Sequence, residues 1–401
     1  MRSAALVAER PYEGATAGGT AVLSLSLRDF RNYAELHLRL SGQPVVLTGP
    51  NGAGKTNILE ALSFFSPGRG LRRARLSEVS RTTGQPALRC CWAAHAELAS
   101  VIGPVSIGTG LAEAAGDEDN AERRIVRVNG EPAASANGLA EYLDVVWLTP
   151  QMDRLFVEGL STRRRFMDRL VYGLDGGHAR QVAAFERAMR ERNRLLKIGG
   201  ADSAWLAALE SQMAEHGVAV AAARRDGLGR IEAGMALATG PFPQARLAAQ
   251  GVIEAWLADM PALAAEEKYR TMLAERRGID REAGAATEGP HRSDMAVWHA
   301  EKDQPAAQCS TGEQKALLIA ITLANARLIR ARRQMAPLML LDEISAHLDA
   351  RRRAALYEEL LALGGQVWLT GTDDDLFAGL AGQAEFFMVA DGVVTPRAAF
   401  S

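Results

Sequence analysis

The sequence predicts an α/β fold, a mixed sheet with flanking helices built around a phosphate-binding loop and interrupted by a helical insertion. Three observations predict it. Gly49-Pro50-Asn51-Gly52-Ala53-Gly54-Lys55-Thr56 fits the phosphate-loop pattern G-x-x-x-x-G-K-[ST]. The apolar run Leu338-Met339-Leu340-Leu341 ends in the carboxylate pair Asp342-Glu343. Nearly 300 residues separate the two segments, and much of that stretch has helical periodicity.

The first segment has the context its chemistry requires. Val45-Val46-Leu47-Thr48 reads as a short buried strand, and Asn57-Ile58-Leu59-Glu60-Ala61-Leu62 as the start of a helix. Glycines let backbone N–H groups curl around a phosphate, and the helix N-terminus adds its positive end. Gly49 to Asn57 are therefore the candidate ATP-binding residues, with Lys55 reaching the β- and γ-phosphates and Thr56 holding Mg2+. Four apolar residues before Asp342 fit a central parallel strand covered on both faces. Asp342 at its carboxyl end can reach the metal, and Glu343 is the candidate base that activates water.

Composition sets the frame. The 401 residues are 48% hydrophobic and 23% charged, ordinary for a globular chain with a sizeable core. No apolar run approaches the roughly 18 residues of a membrane span, and the short apolar stretch after Met1 does not fit a signal peptide. Cys90, Cys91 and Cys309 give neither a C-x-x-C metal pattern nor a disulfide framework, so a cytoplasmic protein is expected. Residues 88 to 148 read as short strands with a hairpin signal at Val128-Asn129-Gly130-Glu131, and Leu111 to Glu122 as an acidic loop. From about 162 to 237 the pattern is helical; His178 to Ile198 alone would span about 30 Å. The expected organisation is a flexible extension over 1–21, a head over 22–161, an antiparallel helical arm over 162–280, and the second part of the head over 281–401.

Ser310-Thr311-Gly312-Glu313-Gln314 precedes an amphipathic run from Leu317 to Leu328 and then the Asp342 strand. It resembles the S-G-G-E-Q signature of ABC-type ATPases, with Thr311 in place of the first glycine, although Ser310 and Glu313 also make an ordinary capping box. Ala346-His347-Leu348-Asp349 matches the loop that follows the carboxylate pair in that superfamily. Val367 to Asp373 reads as a further strand that lacks the switch histidine of ABC transporters, leaving Thr370, Thr372 or Asp373 to sense the γ-phosphate. Phe30-Arg31-Asn32-Tyr33 closes an alternating strand from Leu23; Pro150, Ser161 and Arg164-Arg165-Phe166-Met167-Asp168 follow, then Arg192-Asn193-Arg194-Leu195-Leu196-Lys197 and Gly289-Pro290-His291-Arg292-Ser293-Asp294. With these segments in this order the chain resembles the RecF family of SMC-related ATPases from about residue 22 to 376, with Asp342-Glu343 where many members have Asp-Asp.

The resemblance implies a P-loop NTPase with an ABC-type head and a helical second lobe that forms an ATP-dependent homodimer. Ser310, Thr311, Gly312, Glu313 and Gln314 would press in trans on the partner's γ-phosphate. Arg31 and Asn32 would contact the nucleotide, and Gln151 would couple Mg2+ to closure, with Asp153 as the alternative. It also implies a slow, DNA-stimulated ATPase that binds double-stranded DNA and single-/double-strand junctions. With RecR, and RecO nearby, it would help place RecA at gaps and stalled forks.

A net charge of −2 gives DNA binding no support in bulk. Local clusters permit it: Arg72, Arg73 and Arg75, then Arg163 and Arg164, then Arg192 and Arg194 are the candidates, each also readable as a solvated helix face. Two other readings stand beside the RecF-type switch. One is the nucleotide-binding subunit of an ABC transporter, which the missing histidine and the long insertion oppose. The other is an SMC-like or overcoming-lysogenisation-type protein with its own nuclease.

Overall fold

The computed structural model describes residues 19–82, 91–100, 103–112, 123–199, 202–238 and 240–397. Most of the expected amino extension, Cys90 and most of the acidic loop at 111–122 lie outside them. The chain opens with the hairpin β1 (Ala21–Phe30) and β2 (Tyr33–Arg39), then β3 (Val45–Thr48), the phosphate loop and α1 (Lys55–Ser63). After α2 (Leu76–Val79) come β4 (Ala93–Ala99), β5 (Val105–Leu111), β6 (Arg124–Val128), β7 (Glu131–Pro132) and β8 (Val145–Leu148). Helices α3 (Leu160–Tyr172), α4 (His178–Ile198) and α5 (Ser203–Ala236) precede β9 (Ala245–Gln250) and helices α6 (Val252–Asp259), α7 (Ala262–Glu275) and α8 (Arg277–Ala283). The chain ends with β10 (Asp294–His299), β11 (Gln304–Pro305), α9 (Thr311–Arg333), β12 (Leu338–Leu341), α10 (Ala350–Leu363), β13 (Val367–Gly371), β14 (Glu385–Ala390) and β15 (Val393–Arg397).

The central sheet runs β15-β14-β3-β13-β12-β8, parallel except for the β14–β15 hairpin. Strands β3, β13, β12 and β8 are buried along their whole length because both faces are covered, while β15 at the edge is largely exposed. Val46, Met339, Leu341 and Leu369 enter one core with α3 and α9, while Val45, Leu47, Leu338, Leu340 and Trp368 enter the other with α1 and the strand-rich lobe. That lobe is the antiparallel sheet β2-β1-β4-β5-β6-β7. Its Val128-Asn129-Gly130-Glu131 hairpin forms as expected, Asn129 and Gly130 both taking positive φ.

The helical arm follows the sequence reading through Ala236, then departs from it. Strand β9 pairs antiparallel with β10 inside the stretch assigned to helices, and the boundary at 162 falls within α3. The segment Ala-Arg-Leu-Ala-Ala-Gln has no β-branched or aromatic residue, so only its partner reveals it as a strand. Helix α3 packs into the head core through Phe166, Met167 and Leu170. The 34-residue helix α5 joins two cores: Met213, Val218 and Ala221 pack in the arm, Leu228, Ile231 and Met235 in the head.

Buried ion pairs lock these parts together. Asp168 of α3 receives both ends of the Arg224 guanidinium, at 2.8 and 2.9 Å, and contacts His178 Nε2 at 2.9 Å. These partners hold its pKa at about 2 despite burial. Arg224 also donates to the Pro290 carbonyl, and Arg163 pairs with Asp294, which ties the 289–294 segment to α3 and α5. Arg192, fully buried, bonds Glu210, Asp280 and the Leu273 carbonyl. Removing it with Arg192→Met strands buried carboxylates, so unfolding free energy should fall by about 3–5 kcal/mol. Urea unfolding beside the exposed Arg194→Ala control tests this. A midpoint no lower than the control's would show that the buried network is not needed for stability.

Candidate nucleotide site

Strand β3 emerges between β14 and β13 and delivers the phosphate loop at its carboxyl end. Gly49 takes φ 142°, and a Cβ there would lie 2.1 Å from the Val389 carbonyl oxygen. Gly54 takes φ 114°, and its Cβ would meet Asn32 Nδ2 at 2.5 Å and Tyr33 Oη at 2.7 Å. Gly52, at φ 81°, has nothing within 4 Å on that side. Helix α1 begins at Lys55 with no side-chain cap and no acidic residue in its first turn. Its free N–H groups and positive end are therefore left for an anion.

Lys55, only 4% exposed, donates from Nζ to the Gly49 carbonyl at 2.7 Å and the Pro50 carbonyl at 3.0 Å. Burial lowers its pKa, while Glu343 and Asp342 pull it back up. The loop thus holds its lysine beside two carboxylates, an arrangement that a polyphosphate and its metal complete. Across the site, Thr56 Oγ1 contacts both oxygens of Asp342, at 2.9 and 3.1 Å. These are the hydroxyl and carboxylate a magnesium ion needs, already side by side. Burial raises the Asp342 pKa, while hydrogen bonds from Thr370 and Thr56 oppose that rise.

Thr370 is the centrepiece of the carboxylate side. Strand β13 lies between β3 and β12, so Thr370 donates to Asp342 Oδ1 at 2.8 Å and accepts the Glu343 N–H at 3.0 Å. Glu343 needs that hold: its φ of 52° is left-handed, a conformation that stores on the order of 1–3 kcal/mol in a non-glycine residue. Of the three residues expected to sense the γ-phosphate, Thr370 is thus engaged with the carboxylates. Thr372 and Asp373 are exposed, and Asp373 caps the turn that follows by accepting the Asp375 N–H.

The Phe30-Arg31-Asn32-Tyr33 segment is a tight turn between β1 and β2, not the end of one strand. Asn32 Nδ2 donates to the Ala53 carbonyl at 3.1 Å, and Asn57 Nδ2 donates to Asn32 Oδ1 at 2.7 Å. Arg31 instead spans Glu60 through Nε and Nη2, at 2.8 and 2.6 Å, and donates to the Glu78 carbonyl. Two residues to which the sequence reading gave no role complete this side. Tyr33 Oη donates to the Gly54 carbonyl at 3.1 Å, and the wholly buried Glu60 holds Arg31 and Arg72 together. Tyr33 stood in a segment already singled out; Glu60 carried no local signal.

Gln151 is exposed three residues beyond β8, the strand beside β12, while Asp153 is engaged by Lys315 at 3.4 Å. Ser310 caps α9: its Oγ accepts the Glu313 N–H, and Glu313 accepts the Ser310 N–H. Ser310, Thr311 and Gly312 are exposed, with nothing within 4 Å of a Cβ on Gly312, while Gln314 folds inward onto the Cys309 carbonyl at 2.9 Å. Among the candidate DNA contacts, Arg192 is corrected: wholly buried in its ion-pair network, it is a structural residue. Arg194 pairs with Glu191 on the surface, and Arg163 and Arg164 are tied to Asp294 and to the Ser293 carbonyl. Arg73 and Arg75 are exposed.

Fold and site together define a P-loop ATPase head of the kind shared by SMC proteins. The family model for the RecF/RecN/SMC N terminal domain matches residues 21–395. The DNA replication and repair protein RecF of Mesorhizobium japonicum is 50% identical over 380 residues, covering 94% of this chain and 98% of that protein. That of Rhizobium etli is 49% identical over 372 residues, covering 92% and 97%. The chain belongs to the RecF family. The solved structure of the recombination mediator protein RecF-ATP in the RecFOR pathway shares the fold, with a TM-score of 0.79 at 20% identity over 95% of this chain and 99% of that one. An SMC head bound to the C-winged helix domain of ScpA shares it more distantly, with a TM-score of 0.53 at 17% identity over 94% and 97%. The transporter-subunit alternative is set aside by these family matches. No helix among the described residues is long and apolar enough to cross a membrane.

Proposed function

We propose that this protein is a DNA-binding ATPase of replication and repair that pairs head to head on ATP. The observation that carries the reading is the continuous set Lys55, Thr56, Asp342, Thr370 and Glu343, held by hydrogen bonds at the ends of three strands. Lys55 and the N–H groups of α1 bind the β- and γ-phosphates. Thr56 and Asp342 would hold Mg2+, which when bound would neutralise charge on the transferred phosphoryl group. Glu343 orients and deprotonates the attacking water.

The exposed, capped start of α9 supports the homodimer. Gly312 leaves the helix N-terminus open to an anion carried by a second copy. Gln151 is the candidate link between the metal and closure. The names of the relatives support a role in DNA replication and repair, and the RecFOR pathway in which the solved relative acts supports RecR and RecO as partners; help in placing RecA is what the family resemblance adds. Binding to double-stranded DNA and to single-/double-strand junctions, with slow turnover that DNA stimulates, fits a resetting clamp. Steady-state ATPase with and without linear duplex, at low and high salt, tests the reading. Stimulation that fades with salt is expected; a rate indifferent to DNA would overturn it.

Ser310→Arg places a bulky cation on the exposed start of α9. The variant is expected to bind ATP normally but to sediment as a monomer in ATP. Intact pairing would show that the signature does not act across an interface.

A further inference from the structure

A cleft of about 690 Å³ opens between the loop Ser66–Arg73, strand β8 and helices α3 and α4. Its volume falls in the roughly 300–1,000 Å³ range of small-ligand sites. Arg69, Arg72, Arg73, Arg165 and Arg169 line it. Arg72 is paired with Glu60; among the described residues the other four have no carboxylate partner within ion-pair distance. Asp144, Asp168 and Glu186 also line the cleft, but Arg333, Arg224 and Arg190, which lie outside it, pair with them. Among the described residues, Glu158 and the loosely paired Glu186 are then the lining carboxylates left to balance four guanidinium groups.

These cations cost each other free energy. Packing around the stem of Arg73, whose side chain stays open to solvent, and the nearby Arg165 and Arg69 lower its pKa against the opposing pull of Tyr172 and Glu186, and burial with Arg73 lowers that of Arg169 to about 9. An anion would relieve that repulsion. The walls also offer flat apolar surface: Arg169 lies over the rings of Trp147 and Phe166, at 4.5 and 5.2 Å, and Tyr172 stands on the same cleft. Aromatic rings and guanidinium planes together are the surfaces on which unpaired bases stack.

One wall connects to the phosphate loop. Arg72 Nη1 donates to Asn57 Oδ1 at 2.6 Å and to Glu60 at 2.9 Å. Asn57 donates to Asn32, and Asn32 donates to the Ala53 carbonyl within the loop.

We propose that this cleft binds unpaired single strand, with phosphates on Arg69, Arg73 and Arg165, a base against Tyr172 and the Arg169 guanidinium, and occupancy relayed to the phosphate loop through Arg72 and Asn57. The inference rests on the reading of the protein as a DNA-binding ATPase and says where an unpaired strand enters. A duplex keeps its base faces stacked inside and cannot use the aromatic wall. An acidic protein segment could use the arginines but has no need of Tyr172.

Fluorescence anisotropy of the full chain with a labelled oligothymidine and a labelled duplex tests this. Arg73→Glu with Arg165→Glu should weaken oligothymidine at least ~10-fold and flatten its salt dependence, with duplex affinity changed by less than ~2-fold. ATP binding by the same variant should be unchanged. Tyr172→Leu should cost about tenfold on oligothymidine while leaving its salt dependence intact. Unchanged oligothymidine affinity in both variants overturns the proposal, as does an equal loss of duplex and single strand. So does displacement of oligothymidine by oligoglutamate at equal concentration with no effect of Tyr172→Leu, which would assign the cleft to an acidic protein segment. A wild-type protein that binds oligothymidine through the cleft but no duplex would uphold this inference and overturn the duplex part of the proposed function.

Discussion

Glu343→Gln is expected to bind ATP normally and to lower turnover about 10²–10⁴-fold, the usual contribution of a positioned general base. The amide has the shape of the carboxylate, and the main-chain N–H that Thr370 accepts is unaffected by the change. The left-handed backbone at position 343 is therefore retained and only the proton acceptor is lost. Asp342 is not expected to take over: Thr56 and Thr370 engage its oxygens, and it is the residue proposed to hold the metal. A stalled hydrolysis step should leave the closed dimer standing in ATP, visible as a persistent shift in size-exclusion elution. Phosphate release at the wild-type rate would mean that another residue activates water.

The parts of this site that are local in sequence were legible in it. Eight consecutive residues carry the phosphate loop, because the glycines, lysine and threonine act within one turn of backbone. Met339 and Leu341 enter one core while Leu338 and Leu340 enter the other, as an uninterrupted apolar run predicts for a strand covered on both faces. Helix α4 spans His178–Ile198, the limits set by glycines at 177 and 199. Contacts made across the sheet were not legible. Thr370 lies 28 residues from Asp342 in sequence, and only the parallel register of β12 and β13 brings them together. Glu60 looks like any polar residue in an amphipathic helix until Arg31 and Arg72 close on it.

The arginine clusters show the same division. Sequence gives the sign of a charge and not its partner. Arg192, in the most basic stretch of α4, is buried against Glu210 and Asp280, whereas Arg73 and Arg165 line an open cleft with no carboxylate partner at ion-pair distance among the described residues. A basic run on a helix therefore identifies a surface only after its long-range ion pairs have been subtracted.

Lys55→Met is the second large effect. The ammonium does two jobs: it ties the loop through the Gly49 and Pro50 carbonyls, and it balances the negative charge of Asp342 and Glu343. Methionine fills much of the same space but supplies no donor, so the two carbonyls lose their partner and the carboxylates face the incoming triphosphate unopposed. ATP affinity should collapse, and the ATPase rate should fall at least as far as the ~10²–10³-fold cost of losing one charge-stabilising donor. Pairing should disappear with it, since no γ-phosphate is left for the second copy's signature helix to meet. Without nucleotide the variant should still fold cooperatively, its stability lowered only by the roughly 0.5–1.5 kcal/mol of each lost carbonyl bond, because the loop's shape is set by Gly49 and Gly54 against Val389, Asn32 and Tyr33. Sedimentation of the variant in ATP decides the matter. A dimer that persists without Lys55 would mean that the nucleotide does not drive assembly, and the switch would have to be sought outside the phosphate loop.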